Sequence, residues 1–350
     1  MNTIAPQKRI NLSTRRQAGL SLVELMISLT ISLVLLAGLT TLIVQQSGSR
    51  DELEKASRAI ENGRYAMQLL HDDIQMAGFY GGYSPASGVA HTVPADPCNV
   101  AAGSANSGWD ATPKVAVPIF GYAGALTNPT TATTCGLVNY QPNTAILVIR
   151  RTATDTVAAA VAGTTYLQVN RCSNVTTPFV MGTGGFTLQQ KDCSTVAPLS
   201  KYIVRVYYIS SCNVCAPSDG IPTLKMVDIE DGAQNNIPLV EGIENMQFDY
   251  GIDNSSDGSP DTYSTAPATA DWANVMAVRV NLLARNIDTT SGYSDTKTYC
   301  LSGSPPFNAN GTSTSCNTGG AMLFGPFNNA YKRHAYTELV RAINPSGRRE

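Results

Sequence analysis

From Leu20 to Val44 the chain runs through 25 residues that are apolar, or small and uncharged, except at Glu24. A helix of that length covers about 37 Å, enough to cross a bilayer with some tilt. Beyond it the pattern becomes a seven-residue repeat. Leu53, Ile60, Met67 and Ile74 form one row, and Ala56, Gly63, Leu70 and Ala77 form the next. Asp51, Glu52, Glu54, Lys55, Arg58, Glu61, Arg64, Asp72 and Asp73 fill the other faces. This predicts an amphipathic helix that lays one stripe on an apolar surface. The small residues of the second row invite close contact with a sheet, whereas Gly48 and Gly63 each cost the helix up to about 1 kcal/mol relative to alanine. Gly78 and the Gly81-Gly82 pair end it.

From about residue 84 the helical period disappears. Residues 84–145 read as loops with short strands. Buried or alternating strands are predicted at 145–150, 165–170, 201–210, 224–228, 246–250 and 275–284, with turn residues between them. The expected fold class is α+β: a long N-terminal helix, half membrane-spanning and half amphipathic, lying on an antiparallel β-sheet head with disulfide-bonded loops. The expected organisation is residues 1–19 as a leader, 20–44 as the membrane helix, 45–80 as the amphipathic helix and 81–350 as the head.

Composition agrees with an extracytoplasmic body. Of 350 residues only 14% are charged. The formal net charge is −2, and loss of Lys8, Arg9, Arg15 and Arg16 with residues 1–19 would take it to −6. An acidic mature chain is a poor electrostatic match for DNA, so no direct nucleic-acid partner is expected. All eight cysteines follow the apolar segment, which suits disulfides made outside the cytoplasm. Sequence alone does not fix the pairing. Our expectation is that neighbours pair: Cys98 with Cys135, Cys172 with Cys193, Cys212 with Cys215 and Cys300 with Cys316.

The four leader cations hold the N-terminus in the cytoplasm and send residues beyond about 45 outward. The apolar run is too long for an ordinary signal-peptide core, and no Ala-x-Ala-like site follows it. The small residue instead precedes the run, at Gly19. A carboxylate at Glu24 costs on the order of 3 kcal/mol in lipid, so a compensating charge is expected. The arrangement resembles the class III signal of type IV pilins and pseudopilins. That resemblance implies that a prepilin peptidase cuts after Gly19, that Leu20 becomes the methylated first residue, and that Glu24 is the family's buried glutamate. Phenylalanine or methionine is more usual where Leu20 stands. In a filament the glutamate of one subunit would pair with the new amine of a neighbour, which also sets axial register. An interfacial glutamate reaching to headgroups is the plain alternative.

Three further stretches, Ala77–Gly82, Val278–Arg285 and Tyr331–Asn344, resemble the PilW family of minor pilins. The resemblance implies a filament component that primes or caps a type IV pilus and supports adhesion, twitching motility or DNA uptake. It also implies as partners other minor pilins, the major pilin, a large tip adhesin and the prepilin peptidase. The expected location is the inner membrane, with a periplasmic head, and then the pilus, at its tip. A J-type pseudopilin of type II secretion shares this layout. A membrane-tethered extracytoplasmic enzyme or binding protein is a reading from another class.

Other candidate chemistry is sparse. Asp253, Ser255, Asp257 and Asp261, with Gly258 between them, echo the first half of a calcium loop. The terminal glutamate is missing, so calcium and a plain acidic hairpin are both open. Cys212-Asn-Val-Cys215 has redox-motif spacing but leads into a turn, which favours a structural disulfide. No second cysteine pair lies at zinc-site spacing. His71, His91 and His334 are scattered, with His71 expected to be exposed. No nucleophile elbow, P-loop or dinucleotide fingerprint is present, so no enzyme is expected. The basic residues at 331–334 and 348–349 read as a solvated last strand and tail.

Overall fold

The computed structural model describes residues 19, 21–85, 89–101, 108–109, 114–125, 127–130, 134–230, 233–301 and 323–347. The chain forms two compact units, Met1–Leu53 and Glu54–Glu350. Helix α1 spans Leu22–Met76. In the first unit every described helical residue but Glu52 is exposed, including all the leucines, isoleucines and valines from Leu22 to Val44. The hydroxyls of Ser28, Thr30, Ser32, Thr40 and Thr41 donate to carbonyls three or four residues back. Their polarity is thus absorbed by the helix backbone and the outer surface stays apolar.

In the second unit the helix is one-sided. Ala59, Gly63, Ala66, Met67, Leu70, Asp73 and Ile74 are buried. This differs from the expected stripe in two ways. Ile60 is 40% exposed, whereas Met67 and Ile74 of the same row are buried. A straight helix drifts by about 20° per seven residues, so the row rotates into the core only toward its C-terminal end. Asp73, read as a surface charge, is instead 5% exposed. The helix stops where Gly78 turns to φ +73°, and the Gly78 N–H pairs with the Arg150 carbonyl at 2.9 Å. That turn conformation favours glycine.

Fifteen strands follow among the described residues: β1 His91–Thr92, β2 Val115–Ala116, β3 Ile119–Tyr122, β4 Ile146–Val157, β5 Tyr166–Val169, β6 Phe179–Gly182, β7 Leu199–Ser210, β8 Thr223–Glu230, β9 Ala233–Glu241, β10 Ile243–Ile252, β11 Thr262–Ser264, β12 Val275–Arg285, β13 Tyr299–Cys300, β14 Leu323–Phe324 and β15 Arg333–Arg341. A short helix α2, Ile343–Ser346, closes the described chain. β3 to β9, apart from their connections, build one sheet around the long central β7, with β4 on one edge and both β5 and β8 along the other. The second sheet runs β11-β10-β12-β15 and is antiparallel throughout. The Ala145 N–H donates to the Met246 carbonyl at 2.8 Å and joins the two sheets.

Strand alternation splits the interior into two cores. Leu147 and Ile149 of β4, Tyr207 and Ile209 of β7, Met246, Phe248 and Tyr250 of β10, and Val278, Val280 and Leu282 of β12 join the α1 residues in one cluster. Ile146 and Val148 of β4, and Val204, Val206 and Tyr208 of β7, point to the opposite face. There they pack with Trp109, Phe179 and the Cys98 and Cys135 loops. The large sheet is therefore covered at β4 and β7 on both faces, by helix and by loops, and these two strands carry long apolar stretches for that reason.

Candidate functional site

At the helix start, Gly19 and Glu24 lie in the described chain and Leu20 lies outside the described residues. Ser21 immediately precedes α1, and its N–H donates to Glu24 Oε2 at 3.2 Å. Ser21-Leu-Val-Glu24 is thus the backward half of a capping box, with the glutamate three residues into the helix satisfying an orphan donor. The spacing is readable in the sequence, but the carboxylate in an apolar run is the stronger signal at Glu24 and masks it. A carboxylate in the first turn also complements the helix dipole. Glu24 therefore has a local role within one subunit, at the end of the helix where a leader cut after Gly19 would place a new amine.

The helix is tied to the head by charge as well as by apolar packing. Asp73 Oδ1 accepts Arg151 Nε at 2.9 Å and an Arg205 guanidinium nitrogen at 3.0 Å, and Asp73 Oδ2 accepts the Tyr207 hydroxyl at 2.7 Å. Arg205 reaches on to Asp228 at 3.2 Å. Alternation places Arg151, Arg205 and Tyr207 on the same face of β4 and β7 as Leu147, Ile149 and Ile209. Burial first, and then the Asp73 carboxylate, push the Tyr207 phenol well above its ordinary value. His71, expected to be exposed, is partly buried against β15, with Nδ1 2.7 Å from Glu338 Oε1.

The late loops are pinned to the second sheet by another ionic knot. The Arg333 side chain has no exposure; it forks onto both carboxylate oxygens of Glu244 and reaches Asp295 Oδ2 at 2.9 Å. Its guanidinium lies 3.7 Å from the centre of the Phe327 ring. Asp295 also accepts the hydroxyls of Tyr293 and Tyr299. These residues lie up to 89 positions apart in the chain, so no local pattern marks the group.

The cysteines staple loops. The structure joins Cys98 to Cys135, Cys172 to Cys193 and Cys212 to Cys215. Cys300 is disulfide-bonded, and Cys316 lies outside the described residues. The Asp96 carboxylate stands beside Cys98 and Cys135. Both sulfurs are committed to their mutual bond, and Asp96 accepts the N–H groups of Cys98 at 3.0 Å and Thr134 at 2.9 Å. That is a brace for the stapled loop, not a thiolate metal centre.

Asp253, Ser255 and Asp261 come together in the β10–β11 connection, where the Ser255 hydroxyl donates to both carboxylates, whereas Asp257 is not brought into that group and caps its own turn. Their oxygens accept donors of the loop itself. Asp253 takes the N–H groups of Ser256 and Gly258, Asp261 takes those of Asn254 and Ser255, and Asp257 takes that of Ser259. The two N–H bonds to Asp261 hold its carboxyl below the usual range. A cation bound here would compete with these donors.

A model of the Type IV Pilus-assembly protein W family matches residues 206–344. A model of the prokaryotic N-terminal methylation motif matches residues 14–40. No curated protein and no solved structure matches the chain. The first match covers β8 to β15 with the Arg333 knot, and the second covers Gly19, Glu24 and most of the exposed apolar stretch. The chain carries a type IV pilus-assembly protein W domain behind a prepilin-type methylation motif, and it is a pilin-like structural component related to the type IV pilus.

Proposed function

We propose that the protein is a minor pilin that primes or caps type IV pilus assembly and so supports adhesion, twitching motility or DNA uptake. The observation that carries the reading is the exposed apolar helix with one acid, Glu24, five residues beyond Gly19. Such a surface is stable in lipid or against other apolar helices, and a methylation motif over the same residues favours transfer from the first to the second. Prepilin peptidase cuts after Gly19 on the cytoplasmic side of the inner membrane, with the head in the periplasm. Once Leu20 is the first residue, its amine and a neighbouring subunit's Glu24 neutralise each other as the subunits pack. The head then contacts other minor pilins, the major pilin and a tip adhesin.

Glu24→Ala tests this. Glu24 is exposed in the first unit, so the variant is expected to fold and to reach the membrane while failing to enter filaments, read by immunoblot of sheared pili. Normal incorporation in a strain carrying only that variant contradicts the pairing. Loss of secretion with intact motility in a deletion strain would move the protein to a J-type pseudopilin.

A further inference from the structure

The Cys212–Cys215 pair lies in the β7–β8 connection, and the neighbouring strand supplies it with a cation. Lys225 of β8 is fixed opposite Tyr208 of β7 by strand register. Its side chain turns toward the connection, where Nζ donates to the Asn213 carbonyl at 3.2 Å and lies 3.6 Å from Cys215 Sγ. Lys225 is 7% exposed. Two acids touch this loop, and burial opposes the ammonium form of Lys225 while the Asp219 charge favours it. Asp219 accepts the N–H groups of Asn213, Val214 and Ile221, and Glu241 accepts the Asn213 amide. Cys212 is buried at 2%, whereas Cys215 is partly exposed beside the exposed Val214. The pair also closes the shortest loop of the three described disulfides, with a sequence separation of 3 against 21 and 37. In the chain-entropy account it therefore constrains the unfolded chain least, and opening it sacrifices the least stability.

We propose that Cys215 is a thiol–disulfide exchange site, the sulfur through which a disulfide-bearing partner closes the Cys212–Cys215 bond and a dithiol reopens it, with the Lys225 ammonium stabilising its thiolate. In the open form the Cys215 thiolate attacks one sulfur of the partner's disulfide, and the other sulfur leaves as a thiolate that takes up a proton from water. Cys212 then loses its proton to solvent and attacks Cys215 Sγ, displacing the partner's second sulfur. Two thiols of this chain are oxidised to one disulfide, and one disulfide of the partner is reduced to two thiols. In reverse, a dithiol attacks the accessible Cys215, Cys212 leaves first, and the reductant closes its own disulfide as Cys215 departs. A nearby cation lowers a thiol's pKa and raises its thiolate fraction at neutral pH. This asymmetry, with a partly exposed Cys215 beside a cation and a buried resolving Cys212, separates the pair from an inert staple.

The test uses the full chain in detergent micelles, graded dithiothreitol, iodoacetamide trapping and peptide mass mapping. Cys212 and Cys215 are expected to become labelled at about one-tenth the dithiothreitol that opens Cys98–Cys135 or Cys172–Cys193. Alkylation of the opened Cys215 is expected to titrate below the ~8.5 of a free cysteine, to move up by about one pH unit in Lys225→Met, and to hold in Lys225→Arg. Simultaneous or later opening of this pair overturns the proposal, as does an alkylation midpoint indifferent to Lys225→Met. Should Lys225→Met not fold, the wild-type opening order decides alone.

Discussion

Gly63 is the poorest helix former on the buried stripe of α1, yet its place there is steric. A Cβ on Gly63 would fall within the ring of Tyr336 on β15. Propensity alone makes Gly63→Ala stabilising by up to about 1 kcal/mol. Overpacking against a ring that also stacks edge-on to His334 at 4.6 Å acts in the other direction, by about 1–3 kcal/mol. Gly63→Ala is therefore expected to lower stability, measured as the denaturant midpoint of the detergent-solubilised chain. A raised midpoint would mean that Tyr336 swings aside and that the helix does not approach the sheet closely. Asp73 makes a parallel point. Its neighbours in sequence mark it as a surface charge, and only partners on β4 and β7 explain its burial.

The helix–sheet joint has a pH signature. The Tyr207 phenol, held above its ordinary value of 10.0 by burial and Asp73, stays protonated in the fold at a pH where the unfolded chain releases the proton. The folded state then binds more protons than the unfolded one, so stability is full below about pH 10 and falls as pH rises beyond it. Unfolding at pH 9 and pH 11 measures this, and Tyr207→Phe should reduce the slope. An unchanged slope would place the alkaline loss elsewhere. What the sequence revealed of these elements follows the same physics. β4 and β7 are legible because a sheet covered on both faces gives long apolar stretches, and β10 because Met246, Phe248 and Tyr250 alternate with polar residues. β9 is not legible, because an edge strand with exposed Gln234, Asn235 and Asn236 and with Pro238 reads as loop. The second sheet was folded into a single expected one, since alternation tells which residues share a face but not which sheet they join. Gly19 and Glu24 stood out through charge and spacing. The Ser21–Glu24 cap was equally local but was hidden behind the stronger signal, and the Arg333 knot is distributed too widely for any local pattern to reveal it.

The second unit has its own ionic and apolar core, and the apolar helix residues of the first unit are exposed. Folding thus leaves an apolar surface that needs a bilayer or other helices, and in the proposed function the lone acid at its start ties the choice between them to processing at Gly19. The intact mass and N-terminal sequence of the protein isolated from its own cells test this most directly. The account predicts a chain that begins at Leu20 and carries one added methyl group. A mature protein that still begins at Met1, with residues 1–19 in place, would contradict it.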